Sequence, residues 1–198
     1  MTWDIFTALC LFALATSITP GPNNTMLLAS GVNFGFVRTI PHMLGIGAGF
    51  FTLLIGVGLG LGALITGFPA LHLFLKVAGG AYLLYIAWKI GMSRSLGEAK
   101  EAGLKPMTFL QAAAFQWVNP KAWVMAITAM STYGDSVHPY QRVLLIGLVF
   151  AIVNVPSVST WAGFGSVLRG WLSDPVRLKW FNITMALLLV VSLWPLLK

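Results

Sequence analysis

The sequence predicts an all-α integral membrane protein with six transmembrane helices. Of its 198 residues, 58% are hydrophobic and only 9% are charged, whereas about 25% of a soluble domain is charged. No formal charge occurs between Asp4 and Arg38 or between Arg142 and Arg169, and uncharged apolar runs of that length are long enough to cross a bilayer. Helices are predicted because the alternating pattern of barrel strands is absent.

The charges and prolines divide the chain into six predicted crossings. The run between Arg38 and Lys76 is too long for one crossing, and the turn-forming residues 66–69 divide it. The first crossing lacks the basic start of a cleaved signal peptide, so we expect it to be retained. The predicted crossings are 3–33, 40–65, 70–90, 107–132, 141–166 and 178–197.

Lysine and arginine near the ends of these crossings predict the orientation. One side collects eight of them and the other only three, and the richer side is expected to be cytoplasmic. The eight are Arg38, Lys89, Arg94, Lys100, Lys105, Arg169, Arg177 and Lys179, and the three are Lys76, Arg142 and Lys198. Both termini are then periplasmic in a bacterial inner membrane. Because this asymmetry accounts for the net charge of +7, no nucleic-acid partner is predicted.

The spacing of prolines indicates a weak internal repeat. Pro20 and Pro22 interrupt the first crossing and Pro120 interrupts the fourth, while Pro69 and Pro175 precede the third and sixth. With three crossings per half, the halves have opposite orientations in the membrane, as in many secondary transporters. The sequence therefore predicts one transporter domain, 1–198. It comprises two inverted three-helix repeats, about 1–90 and about 107–198, joined by a cytoplasmic loop, 91–106.

The first interruption is a candidate binding site. Prolines remove backbone donors and disfavour helix before them, so the first crossing is predicted to form two half-helices. The start of the second half-helix would offer free amides to a carboxylate, and the carbonyls released before it would suit an ammonium group. A purely structural kink, satisfied by neighbouring helices, is the alternative. The residues are Thr19, Pro20, Gly21, Pro22, Asn23 and Asn24.

The second interruption contains Gln116, Asn119, Pro120 and Lys121. Lys121 is the only full charge well inside a predicted crossing, and such charges usually face a partner or a polar cavity. With no acidic residue inside the membrane, the partners considered are carbonyls of the first interruption, asparagine side chains or a substrate carboxylate. Alternatively, Lys121 extends to an interface.

A third candidate binding site lies in the fifth crossing, where Asn154 and Ser157 share one helix face. Such polar residues either bind ligands or hold helices together. The glycines of the second crossing predict close helix packing, and His42 is interpreted as an interfacial residue. Since Cys10 is the only cysteine and the histidines are scattered, no metal site, cofactor or enzymatic centre is predicted.

At these positions the chain resembles the LysE/RhtB family of amino-acid exporters. The resemblance rests on residues 19–23, 79–84, 116–123 and 154–165. It implies an inner-membrane exporter driven by the proton-motive force, of the branch associated with neutral amino acids such as homoserine, threonine, leucine or cysteine derivatives.

The residues themselves favour a zwitterionic substrate, because a cationic one would need a countercharge that the membrane region lacks. The expected partners are therefore a small zwitterionic amino acid and the lipid bilayer, with a homodimer possible. A non-transporting membrane subunit, whose prolines and small residues serve only helix assembly, is the rival hypothesis.

Overall fold

A computed structural model describes residues 1–62, 69–93, 96 and 105–194, and all regular structure within those ranges is helical. The helices are α1 (Trp3–Ile18), α2 (Pro22–Phe34), α3 (Phe36–Gly56), α4 (Pro69–Met92), α5 (Phe109–Gln116), α6 (Pro120–Tyr133), α7 (Pro139–Trp171) and α8 (Pro175–Val191). A short π-helical segment, Val57–Leu61, extends α3.

The first predicted crossing is broken as its prolines require. α1 ends at Ile18, α2 begins at Pro22, and their axes differ by 55°. Pro22 occupies the first helical position, where a missing amide hydrogen costs nothing. Gly21 precedes it in extended conformation and no side chain caps the new helix, so the first amides of α2 remain available.

The fourth predicted crossing is broken in the same way. α5 ends at Gln116 and α6 begins at Pro120, which again occupies the first helical position. Here the side chain of Asn119 caps α6 by accepting a hydrogen bond from the amide of Lys121 at 3.1 Å.

In three helices, α3, α7 and α8, a boundary differs from the sequence-based expectation by three residues or more. α3 begins at Phe36, four residues early, because Gly35 makes the whole turn after α2 at φ +82°, where glycine is favoured. α7 continues to Trp171, five residues beyond the expected end. α8 begins at Pro175, three residues early, because Asp174 caps it by accepting from two backbone amides.

Within the described residues, three helical stretches are long and apolar enough to cross a membrane, and a fourth is added if α1 and α2 form one bent crossing. α8 has 17 residues, and α5 and α6 have 8 and 14, so six crossings remain a prediction. The expected turn at 66–69 lies outside the described residues except for Pro69. So do most of loop 91–106 and residues 195–197.

α7 lies at the centre and packs against α1, α2 and α3, while α5 packs on α3 and α8 on α4. Glycines permit the closest contacts. A Cβ at Gly31 would overlap the carbonyl oxygen of Ala162, and one at Gly45 that of Phe109. The close packing predicted for the second crossing is therefore present at Gly45, although Gly47 faces open space.

Candidate functional site

The two interruptions meet at a small polar cavity of about 30 Å³, which α3 and α7 help to enclose. A cavity of this size holds about two water molecules. Of the residues predicted from sequence, those that line it are Gly21, Asn23, Asn24, Gln116, Asn119, Lys121 and Asn154. Residues of both interruptions thus line one cavity.

Lys121 crosses from the second interruption to the first. Its Nζ donates to the carbonyl oxygen of Thr19 at 2.7 Å, to the hydroxyl of Thr19 at 2.9 Å and to the carbonyl oxygen of Pro20 at 3.4 Å. Its aliphatic stem lies against Gly21, where a Cβ would approach Lys121 Cδ to 2.8 Å. Of the partners considered from sequence, the structure has the carbonyls released by the first interruption.

Asn23 and Gln116 form a second bridge between the interruptions. Asn23 Nδ2 donates to Gln116 Oε1 at 2.8 Å, and Gln116 Nε2 donates back to Asn23 Oδ1 at 3.1 Å. Gln116 Nε2 also donates to the carbonyl oxygen of Ala112 at 2.9 Å. This pair of amide side chains holds the start of α2 against the end of α5.

Further carbonyls at the first interruption also have partners. Asn24 Nδ2 donates to the carbonyl oxygens of Ser17 and Thr19, each at 2.8 Å. The indole of Trp161, on α7, donates to the carbonyl oxygen of Ile18 at 3.1 Å. The role of Asn24 here is to support the broken backbone, because both hydrogens of its amide are used for it.

Two buried polar atoms in the cavity wall have no hydrogen-bond partner among the described residues: Ser17 Oγ and Asn154 Oδ1. Leaving such atoms unsatisfied costs about 1–3 kcal/mol each, so both favour a ligand or water in the cavity. Ser17 was missed by sequence reasoning. Its only signal was its position one turn before Pro20, where released carbonyls would lie.

Five of the predicted residues do not line the cavity. Thr19 contacts the cavity-lining residues Lys121 and Asn24, and Pro20 contacts Lys121. Pro22 and Pro120 shape the two helix starts. Ser157 is the fifth such residue: its hydroxyl donates to the carbonyl of Val153 within α7 at 3.1 Å. In the described part of the chain, no three histidine, cysteine or acidic side chains lie close enough to hold a metal ion.

Comparisons with known proteins find related sequences over most of the chain. A family model described as "LysE type translocator" matches residues 14–192. Proteins named "Cysteine/O-acetylserine efflux protein" from Escherichia coli strain K12 and from Shigella sonnei strain Ss046 are each 32% identical to this chain over 194 residues, which is 96% of both sequences. No solved structure matches significantly.

Proposed function

Because the chain belongs to the LysE-type translocator family, and is therefore a membrane transporter and not an enzyme, we propose that it exports small neutral amino acids across the bacterial inner membrane. The proposal includes six crossings arranged as two inverted repeats, periplasmic termini and a drive from the proton-motive force. The cavity between the two interruptions is the proposed substrate site.

A carboxylate fits the start of α2. The amides of Asn23 and Asn24 are among the unsatisfied first-turn donors of that helix, whose positive end favours an anion. Lys121 Nζ lies beside Gly21 at the same helix start. The substrate carboxylate would therefore be held by two amides and one cation.

An ammonium group fits the unpartnered acceptors of the same cavity. Asn154 Oδ1 and Ser17 Oγ are buried acceptors without partners in the described structure, and they face the same space. No acidic residue is among those that line this cavity. One cation with neutral acceptors suits a zwitterion, whereas a substrate with an additional positive charge would remain uncompensated.

The contacts of Lys121 also suggest how the site opens. The cavity of about 30 Å³ is too small for an amino acid. In this state, Lys121 Nζ is hydrogen-bonded to the carbonyl oxygens of Thr19 and Pro20. In the proposed cycle, Lys121 exchanges these oxygens for the substrate carboxylate. Release of Thr19 and Pro20 frees α1 to move relative to α2, which couples substrate binding to rearrangement of the broken helix.

The proposed substrates are those compatible with this site and with the names of the relatives. Cysteine and O-acetylserine are both small zwitterions, and homoserine, threonine and leucine are further members of the class. The observation that supports the proposal best is the convergence of Lys121, the uncapped start of α2 and the unpartnered Asn154 Oδ1 at one cavity.

Excretion measurements test the proposal. Cells that overproduce the chain are loaded with cysteine, O-acetylserine or threonine, and their efflux is compared with that of cells carrying an empty vector. Faster efflux of at least one of these compounds is expected. Lys121→Ala should reduce efflux by about tenfold or more, since hydrogen bonds to charged groups contribute about 1.5–3 kcal/mol.

Lys179→Ala is the matched control, because Lys179 is an exposed lysine that contacts the Trp180 ring and lies outside the cavity. It should retain the efflux rate of the unmodified chain. Equal efflux from overproducing and empty-vector cells for every neutral amino acid would contradict the proposed function.

A further inference from the structure

A second and larger cavity, of about 150 Å³, lies between α2, α4 and the start of α5. One face of α2 forms a wall of it through Met26, Ala29, Ser30 and Asn33, residues that recur at helical spacing. On the positive-inside orientation this cavity is on the cytoplasmic half of the molecule, because Lys89 also lines it.

His42 in the wall of this cavity has no partner. Its side chain is 1% exposed, and neither ring nitrogen has a hydrogen-bond partner among the described residues. The sequence had indicated an interfacial histidine, and the structure instead buries it where α3 faces the cavity. Burying an imidazole without a hydrogen bond is costly, so the position is suited to a polar ligand in the cavity.

The other buried polar groups of the cavity already have partners. Asn33 Nδ2 donates to the carbonyl oxygen of Ala29 at 2.8 Å and to Asn182 Oδ1 at 3.2 Å, and Ser93 Oγ donates to Asn33 Oδ1 at 3.3 Å. These hydrogen bonds hold the side chains of Asn33 and Ser93 in place in the cavity wall. Among the buried polar side chains of this wall, His42 is thus the one without a hydrogen-bond partner in the described structure.

The charge of the cavity is positive. Lys89 and Lys105 both line it, and none of its described lining residues is acidic. Lys89 lies over the ring of Tyr85, 5.3 Å from the centroid, which leaves its ammonium hydrogens free to bind oxygen. Two cations without a nearby described carboxylate provide a site for an anionic group.

We propose that this cavity is a second binding site for the exported zwitterion. The zwitterion occupies it on entry from the cytoplasm. Lys89 and Lys105 bind its carboxylate, and the unprotonated nitrogen of neutral His42 accepts a hydrogen bond from its ammonium group. At about 15 Å³ per water, the cavity holds about ten water-sized groups, about the number of non-hydrogen atoms in a small amino acid. This inference rests on the proposed export function.

The second site lies directly along the path to the first. Asn23 lines the small cavity and Met26 the large one, a separation of about 4.5 Å along the helix axis. Met26 packs in an apolar cluster with Phe115, and in the proposed path this cluster is the layer between the two cavities. A substrate in the larger cavity would reach the start of α2 when this layer opens.

Direct binding tests the inference. The full chain in lipid nanodiscs is equilibrated with ³⁵S-labelled cysteine under reducing conditions, and bound label per chain is counted. The unmodified chain should bind two molecules, and Lys121→Ala and His42→Leu should each bind one. His42→Gln, which keeps a hydrogen-bond acceptor, should restore the second molecule.

Export kinetics give a second readout. In inside-out vesicles, His42→Leu should raise the KM for cysteine about tenfold with a smaller effect on kcat, because the first site remains intact. His138→Leu, which makes the same change at an exposed loop residue, should leave both constants unchanged.

The possible outcomes separate this inference from the proposed function. If the unmodified chain exports cysteine but binds a single molecule, and His42→Leu changes neither binding nor KM, the second site is wrong and the exporter stands. If the unmodified chain exports no neutral amino acid, the function itself fails, and the inference fails with it.

Discussion

Lys121 shows how a full charge is accommodated in this structure without an acidic partner. The prolines of the first interruption release backbone carbonyls, and the ammonium group of Lys121 binds those of Thr19 and Pro20. Each group satisfies the other: unpaired carbonyls and an unpaired cation would both be costly in a membrane. Because of this mutual dependence, we expect Lys121 to respond to a competing carboxylate, as the proposed cycle requires.

Asn154 offers a test of substrate charge. Replacement by aspartate places a carboxylate where the substrate ammonium is proposed to lie, so Asn154→Asp should shift export from neutral toward cationic amino acids such as lysine. The efflux of lysine relative to threonine is the measurement. Asn154→Leu removes the acceptor without adding charge, and should lower threonine efflux without raising lysine efflux. A lysine-to-threonine ratio unchanged by Asn154→Asp would contradict the proposed ammonium position.

The site residues divide into those that sequence could reveal and those that it could not. Lys121 was recognisable because a charge inside an apolar run is costly wherever the helices lie. Ser17 and His42 were not, because a single serine or histidine is equally compatible with lipid headgroups, another helix or a cavity. Only the arrangement of the neighbouring helices leaves Ser17 Oγ and both nitrogens of His42 without partners among the described residues.

At the scale of elements, α2 packs closely against α7. Two glycines at this contact leave no room for a side chain. A Cβ at Gly31 would overlap the carbonyl oxygen of Ala162, and one at Gly165 would overlap that of Leu28. Small residues allow such close approach between membrane helices, where dispersion and weak polar contacts replace the hydrophobic effect. This contact fixes α2, whose start lines the proposed substrate site.

The glycine contacts predict that the same substitution, glycine to alanine, changes stability differently at two positions. Gly31→Ala should destabilise the protein by about 1–3 kcal/mol, because backbone atoms of α7 must move. Gly47→Ala, also within a helix but with no atom within 4 Å of its Cβ, should be neutral or stabilising by up to about 1 kcal/mol. Thermal unfolding in detergent measures both. Equal unfolding midpoints for the two variants would contradict the close packing of α2 on α7.

At the scale of the whole molecule, the helix contacts support the proposed inverted repeat. α1 and α5 are the half-helices that precede the two interruptions. Each of them packs on the helix of the second crossing in the other half: α1 packs on α7, and α5 packs on α3. Pro22 and Pro120 hold the same first helical position, and the next residue in each case crosses to the other interruption: Asn23 binds Gln116, and Lys121 binds Thr19. These helix contacts and the contacts between the interruptions therefore have the same form in both halves.

The two ends of the molecule differ in packing. On the expected periplasmic half, α1, α3, α6 and α7 form a continuous apolar cluster that includes Leu9, Phe50, Ala126 and Phe150. The larger cavity lies on the other half. This combination is what alternating access would require of a state closed to the periplasm and accessible from the cytoplasm.

Orientation can be tested with single cysteines. After Cys10→Ser removes the only native thiol, Val137→Cys and Ser173→Cys each place one thiol in an exposed loop, at opposite ends of α7. A membrane-impermeant maleimide added to intact cells with a permeable outer membrane should label Val137→Cys and spare Ser173→Cys. Labelling of Ser173→Cys alone would reverse the predicted topology, and with it the cytoplasmic assignment of the larger cavity.

The sequence alone determined the membrane class, the all-helical structure and the positions of both interruptions, because these follow from costs that act locally: charge in lipid, unsatisfied backbone and proline within a helix. The tertiary structure decided what those features do together. It brought Lys121 to the carbonyls of Thr19, and it left Asn154 Oδ1 and His42 without partners in the described chain. Such long-range relations depend on which helices pack together, and local composition does not specify that.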